Sequence, residues 1–221
     1  MALKQRKTIR SIARVGIKED VGAVFGYVAA AIMVVAFVWY GHDIWTGSAR
    51  TNPLSWWMWA IETFVGLMIY ADRTRDISKW VAEAASLVGV VVVALYLAVI
   101  AIQGHVSVVF ASIESIDFVS TGAAIVTFGF WIATRKKLGA GPSIWVFQVT
   151  LILVAFPLIR ATLADPSVEP FWPWTLWTIS FGFQTVCAWL RWDGYEPVVN
   201  PLNYAIIHCL VAVIVLLGTA S

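Results

Sequence analysis

Six residues have side chains and settings that could do chemistry: Glu62, Gln148, Gln184, His208, Trp59 and Trp145. A carboxylate, two amides and an imidazole can bind a polar solute or pass a proton. The two indoles can stack on a sugar or a cation. All six lie in apolar runs, and an ionisable group at bilayer depth costs a few kcal/mol, which makes it a functional candidate by default. Glu62, in "WWMWAIETF", leads. An acid there can trade its charge for a proton, as a proton-coupling site requires. His208 can donate, accept or titrate near neutral pH. The ordinary alternative for the acid, the amides and the imidazole is interhelical hydrogen-bond glue.

Other chemistry finds little support. No H-E-x-x-H, P-loop or G-x-S-x-G motif occurs, and His42, His105 and His208 are far apart. His42 and Asp43 give a weak metal or proton-site hint. Cys187 and Cys209 lie in apolar runs without disulfide or metal spacing. No lysine sits in the last apolar run for a retinal Schiff base, which argues against a rhodopsin. The expectation is a protein that is not an enzyme, with no cofactor, no bound metal and no nucleic-acid partner.

The elements that must position these residues follow from composition. Of 221 residues, 60% are hydrophobic and 13% charged, with a mean hydropathy of +0.81. Soluble domains run at about 45–50% apolar and about 25% charged, so this reads as an all-α polytopic membrane protein. A helix needs about 20 apolar residues to cross the hydrocarbon core. Seven segments qualify, at 21–41, 54–71, 80–103, 116–134, 143–163, 172–191 and 201–219, separated by Gly, Pro and charge punctuation. Residues 1–20 form a basic cytoplasmic or interfacial segment and 21–221 a seven-helix transmembrane domain. Glu62, eight residues into the second segment, is about 12 Å deep, near the midplane.

The basic residues orient the chain. Of fifteen, Lys4, Arg6, Lys7, Arg10, Arg14, Lys18, Arg73, Arg75, Lys79, Arg135, Lys136, Lys137 and Arg191 fall in the tail and alternate connections, leaving Arg50 and Arg160 on the other side. By the positive-inside rule the N-terminus is cytoplasmic, and the setting expected is a bacterial inner membrane. The first apolar run is too long for a signal peptide's h-region. Ile9, Ile12, Ala13 and Ile17 recur at helical spacing among basic residues, which suits a helix on the anionic leaflet as well as a solvated tail. Glu83 and Asp117, near helix ends, are expected to reach headgroup water. Trp56, Trp57, Trp59, Trp172, Trp174, Trp177, Trp189 and Trp192 fall at predicted interfaces, where an aromatic belt is expected. Asn203 reads as a turn or cap residue.

Three stretches repeat a pattern: "SARTNPLSWWMWAIE", "TRKKLGAGPSIWVFQ" and "YEPVVNPLNYAIIH". In each, a loop proline (Pro53, Pro142, Pro201) opens a helix, an aromatic follows (Trp59, Trp145, Tyr204), and a polar side chain comes within four residues (Glu62, Gln148, His208). The first turn lies on the opposite side from the other two, so helices one to three and four to six would form inverted three-helix repeats, with the seventh helix extra. Chance similarity between apolar segments is the competing explanation.

"WIATRKKLGAGPSIWVFQ" with its following helix resembles the triple-helix bundle of PQ-loop and SWEET-like small-solute transporters, and "NPLSWWMW" is similar to Pro-x-x-Ser-Trp turns in their bacterial relatives. The sequence departs from that pattern in lacking an adjacent Pro-Gln pair and in placing the odd helix last. The resemblance implies a small-solute pathway, so the expected partners are the bilayer and a small polar solute or protons. The competing expectation is a non-catalytic subunit packed within a larger membrane complex. A homo-oligomer is compatible with either.

Overall fold

A computed structural model describes residues 2–51, 53–103 and 115–220, with side chains from residue 18 onward apart from 54, 115–117 and 120. The described residues form seven α-helices: α1 (Ala2–Thr46), α2 (Pro53–Arg73), α3 (Val81–Ile102), α4 (Ser115–Leu138), α5 (Gly141–Ala164), α6 (Phe171–Leu190) and α7 (Glu196–Thr219). Short 3-10 turns, Ile77–Lys79 and Pro166–Val168, precede α3 and α6. Every predicted segment overlaps one helix. Four helical stretches, Lys18–Thr46, Val81–Ile102, Gly141–Ala164 and Glu196–Thr219, are long and apolar enough to cross a membrane, so the chain reads as an integral membrane protein. His105 and the side chains of Ile9, Ile12, Ala13, Ile17 and Asp117 lie outside what is described.

The boundaries have local causes. Gly47 (φ 76°) ends α1, and Gly139 (φ 71°) reverses the chain between α4 and α5, a left-handed conformation that glycine adopts at little steric cost. Pro53, Pro142 and Pro197 stand in the first turns of α2, α5 and α7, where their missing N–H would be unpaired anyway. α7 therefore starts at Glu196 rather than at the predicted 201. Pro201 lies inside it and cannot donate to the Pro197 carbonyl four residues back. The Tyr70 hydroxyl donates to that oxygen instead, at 2.7 Å.

Six helices close into a ring in the order α1, α6, α7, α5, α2, α3, with α3 returning to α1. α4 stands outside, packed on α5 and α2. A Thr127–Thr150 hydroxyl pair at 2.5 Å and a bond from the Trp131 indole N–H to Asp72 at 3.2 Å fix it there. The outlying helix is thus α4, not the seventh. α3 packs on α1 and α2, whereas α6 packs chiefly on α1 and α7, so helix neighbours differ between the two halves.

The turns before α3 and α6 do repeat. Asp76 accepts from the Ser78 backbone N–H (3.2 Å) and hydroxyl (2.7 Å), and Asp165 does the same for Ser167 (3.0 and 2.6 Å). A glycine of a neighbouring helix is seated on each turn. A Cβ at Gly26 of α1 would collide with the Ser78 carbonyl, and one at Gly218 of α7 with Pro166. The first turn lies at the bundle end that gathers the basic connections; the second lies at the opposite end.

Candidate functional site

One face of α7 carries Asn200, Tyr204 and His208 at four-residue spacing, all buried. This spacing stacks side chains above one another on a helix, and each meets a different partner inside the ring. Residues of α2 and α7 meet across its middle. The Tyr204 hydroxyl donates to both Glu62 oxygens, at 3.0 and 3.1 Å, and Glu62 has no exposed surface at all (0%). Toward the basic end, the Asn200 amide donates to Glu83 of α3 and accepts from Gln148 of α5 at 2.9 Å. Asn203 donates to the Gln148 oxygen at 2.9 Å. One buried Glu83 oxygen, Oε2, has no hydrogen-bond partner.

His208 is boxed by aromatic rings. Trp174 and Phe181 lie 5.2 Å from it, Trp177 5.8 Å, Trp59 6.1 Å and Tyr204 6.2 Å, centroid to centroid. The Tyr204 carbonyl lies 2.6 Å from Nδ1, so Nδ1 carries the hydrogen of that bond. Phe181 stacks on Tyr204 at 4.6 Å and 10°, which ties the box to the hydroxyl that holds Glu62. The Trp177 indole N–H is buried without a partner among the described residues.

Beyond the box, away from the basic end, Glu169 lies in the α5–α6 connection and is 4% exposed. The Tyr40 hydroxyl (3.0 Å) and the Trp174 indole N–H (2.9 Å) both donate to its Oε2. Burial pushes its carboxyl up to about 7, against the smaller opposing effect of those two donors. A backbone bond from Arg50 N–H to the Val168 carbonyl at 2.9 Å ties this connection to the one between α1 and α2.

At the basic end three acids are paired. Lys79, 2% exposed, reaches Asp193 at 2.7 Å, Arg73 reaches Glu196 at 3.3 Å, and the Arg191 guanidinium binds Asp76. Partial burial raises the Asp76 carboxyl, but hydrogen bonds from Arg191 and Ser78 outweigh it and hold the group below the usual range. Lys18, Arg75, Asp76, Lys79, Arg191 and Asp193 are among the residues lining a cavity of about 560 Å³ here.

From end to end, polar groups succeed one another: Glu169, the boxed His208, Tyr204 with Glu62, Asn200 with Glu83 and Gln148, then the ion pairs. Of the six predicted residues, Glu62 bonds Tyr204, Trp59 packs on His208 one turn along α7, and Gln148 joins the layer below. Two do not join them. Gln184 donates to the Ser78 carbonyl at 3.4 Å and serves the turn before α3. Trp145 is 50% exposed on the outside of α5, because its neighbours Ser143, Ile144, Phe147 and Gln148 occupy the buried face.

Other expectations change as well. Trp56, Trp59, Trp174 and Trp177 are buried, so of the eight expected in a belt Trp57, Trp172, Trp189 and Trp192 remain free to form one. Glu83 is enclosed rather than reaching water, and Asn203 binds Gln148 rather than capping. Tyr40, Asn200 and Glu169 went unnoticed in the sequence, and Tyr204 stood there only as the aromatic of a repeated pattern. The four-residue spacing of Asn200, Tyr204 and His208 was the available signal, as was the three-and-four spacing of Trp174, Trp177 and Phe181.

No protein-family model, curated protein or solved structure matches this chain. The likeness to PQ-loop and SWEET-like transporters rests on the quoted sequence stretches alone.

Proposed function

We propose that this chain spans the membrane seven times, with its basic end cytoplasmic, and couples proton movement to the passage of a small polar solute. Glu62 is the group that carries the proton. The observation that supports this most is the placement of Glu62: fully enclosed, at the middle of the helix ring, bonded by Tyr204 and without an ion-pair partner among the described residues. A carboxylate kept in such a place costs stability unless neutralised or paired. Its place in a succession of polar groups running the length of the bundle favours a pathway over a lone glue contact. The aromatic box interrupts that succession between Glu169 and Glu62, so a solute passes only when the rings move.

The test is proton flux into vesicles reconstituted with the purified protein, followed with an internal pH dye. Glu62→Gln, close in shape and permanently neutral, is expected to abolish flux while leaving the folded yield unchanged. Wild-type flux in that variant would remove Glu62 from the mechanism.

A further inference from the structure

Resting on that reading, we infer that the solute is an organic cation of the quaternary ammonium type, and that its head group takes the place His208 occupies inside the aromatic box.

The interior holds acids without matching bases. Glu62, Glu83 and Glu169 are all buried in the bundle, and none has a basic partner within ion-pair distance among the described residues. The ion pairs of Arg73, Lys79 and Arg191 are confined to one end. An interior with several acids, whose paired cations stand at one end, suits a positively charged guest.

The box supplies what that guest needs. Aromatic faces attract a cation through the ring quadrupole within about 6 Å of the centroid, and indole does so best. Trp59, Trp174, Trp177, Phe181 and Tyr204 surround one small side chain at 5.2 to 6.2 Å. Trp59 lies one helical turn before Glu62 on α2, and Tyr204 bonds Glu62 directly. Glu169 bonds Trp174 on the other side. A quaternary ammonium offers no hydrogen to donate, so it suits a box whose walls are rings and whose carboxylates stand behind them. The unpartnered Trp177 N–H would find an acceptor on a cation that also bears an oxygen, as choline does.

The experiment is equilibrium binding of tetramethylammonium and choline to the purified full-length protein in lipid nanodiscs. Calorimetry and intrinsic tryptophan fluorescence report it, with sodium at equal ionic strength as the control. Wild type is expected to bind both cations saturably. Glu62→Gln and Trp59→Leu should each weaken binding tenfold or more, whereas His208→Ala, which empties the box, should tighten it severalfold. Circular dichroism and size exclusion check that each variant is folded, and Trp59→Phe, which keeps a ring, should restore most of the affinity.

Absence of saturable binding in both wild type and folded His208→Ala would overturn the inference, as would undiminished binding in Glu62→Gln. The proton-flux assay separates the two proposals. Flux that depends on Glu62 without cation binding sinks this inference alone, whereas cation binding with flux indifferent to Glu62 sinks the coupling reading.

Discussion

The two Asp-x-Ser turns share one local structure and bury opposite charges. At the basic end, Asp76 and Ser78 form a turn that leads into the buried Lys79, which is matched by Asp193 at 2.7 Å. At the other end, Asp165 and Ser167 form the same turn, and it leads into the buried Glu169, held by a tyrosine and an indole with no ion-pair partner among the described residues. The backbone solution is therefore indifferent to what it presents. One end is locked by charge against charge, while the other holds an acid that a proton can neutralise. One end of the bundle is thus fixed by ion pairs, while the other responds to pH.

The difference can be broken most severely at the locked end. Asp193→Ala would leave Lys79, its side chain 3% exposed, buried and unmatched. A loss of about 3–5 kcal/mol is expected, measured by denaturant titration in detergent. Lys79→Met should cost much less, because the remaining Asp193 side chain is 38% exposed and can be rehydrated. Equal losses in the two variants would contradict this account.

The turns themselves can be compared next. Asp76→Ala removes a cap and the partner of Arg191, and about 2 kcal/mol should be lost. Asp165→Ala removes only an exposed cap and should cost clearly less. Parity between them would show that the Arg191 contact contributes nothing.

Glu169→Gln sharpens the contrast through pH. In the folded protein its carboxyl is raised from 4.5 to about 7, so as pH rises the unfolded chain loses its proton first. Stability should therefore fall between about pH 4.5 and about pH 7 and level off above. The substituted amide keeps an acceptor for Tyr40 and Trp174, so the variant should match wild type at about pH 4.5 and show a flatter profile. A slope unchanged by the substitution would mean that another group titrates. The smallest effect is expected from Trp145→Leu, within about 0.5 kcal/mol and with normal proton flux.

The sequence made the helices legible and their facing obscure. Segment positions follow from run length and from prolines and glycines, so Pro53, Gly139 and Pro142 mark real ends. Facing could not be read in the usual way, because lipid outside a bundle is as apolar as the core inside it and the polar-out stripe of a soluble helix is missing. Trp172 and Trp174 stand two residues apart and both look like belt residues, yet one is exposed and the other packs on His208. Glu62 was found because a lone acid in an apolar run is conspicuous. Glu169 was missed because it sits in "DPSVEPFW", where prolines and neighbouring acids look like an ordinary surface loop.

Gly26 and Gly218 give the two ends separate handles. One added methyl at Gly26 would wedge α1 away from the Ser78 turn, and one at Gly218 would wedge α7 away from Pro166. Two single-carbon changes, each at its own end of the bundle, would thus hold it ajar at one end or the other and, on the proposed transport reading, trap each half of the cycle by itself.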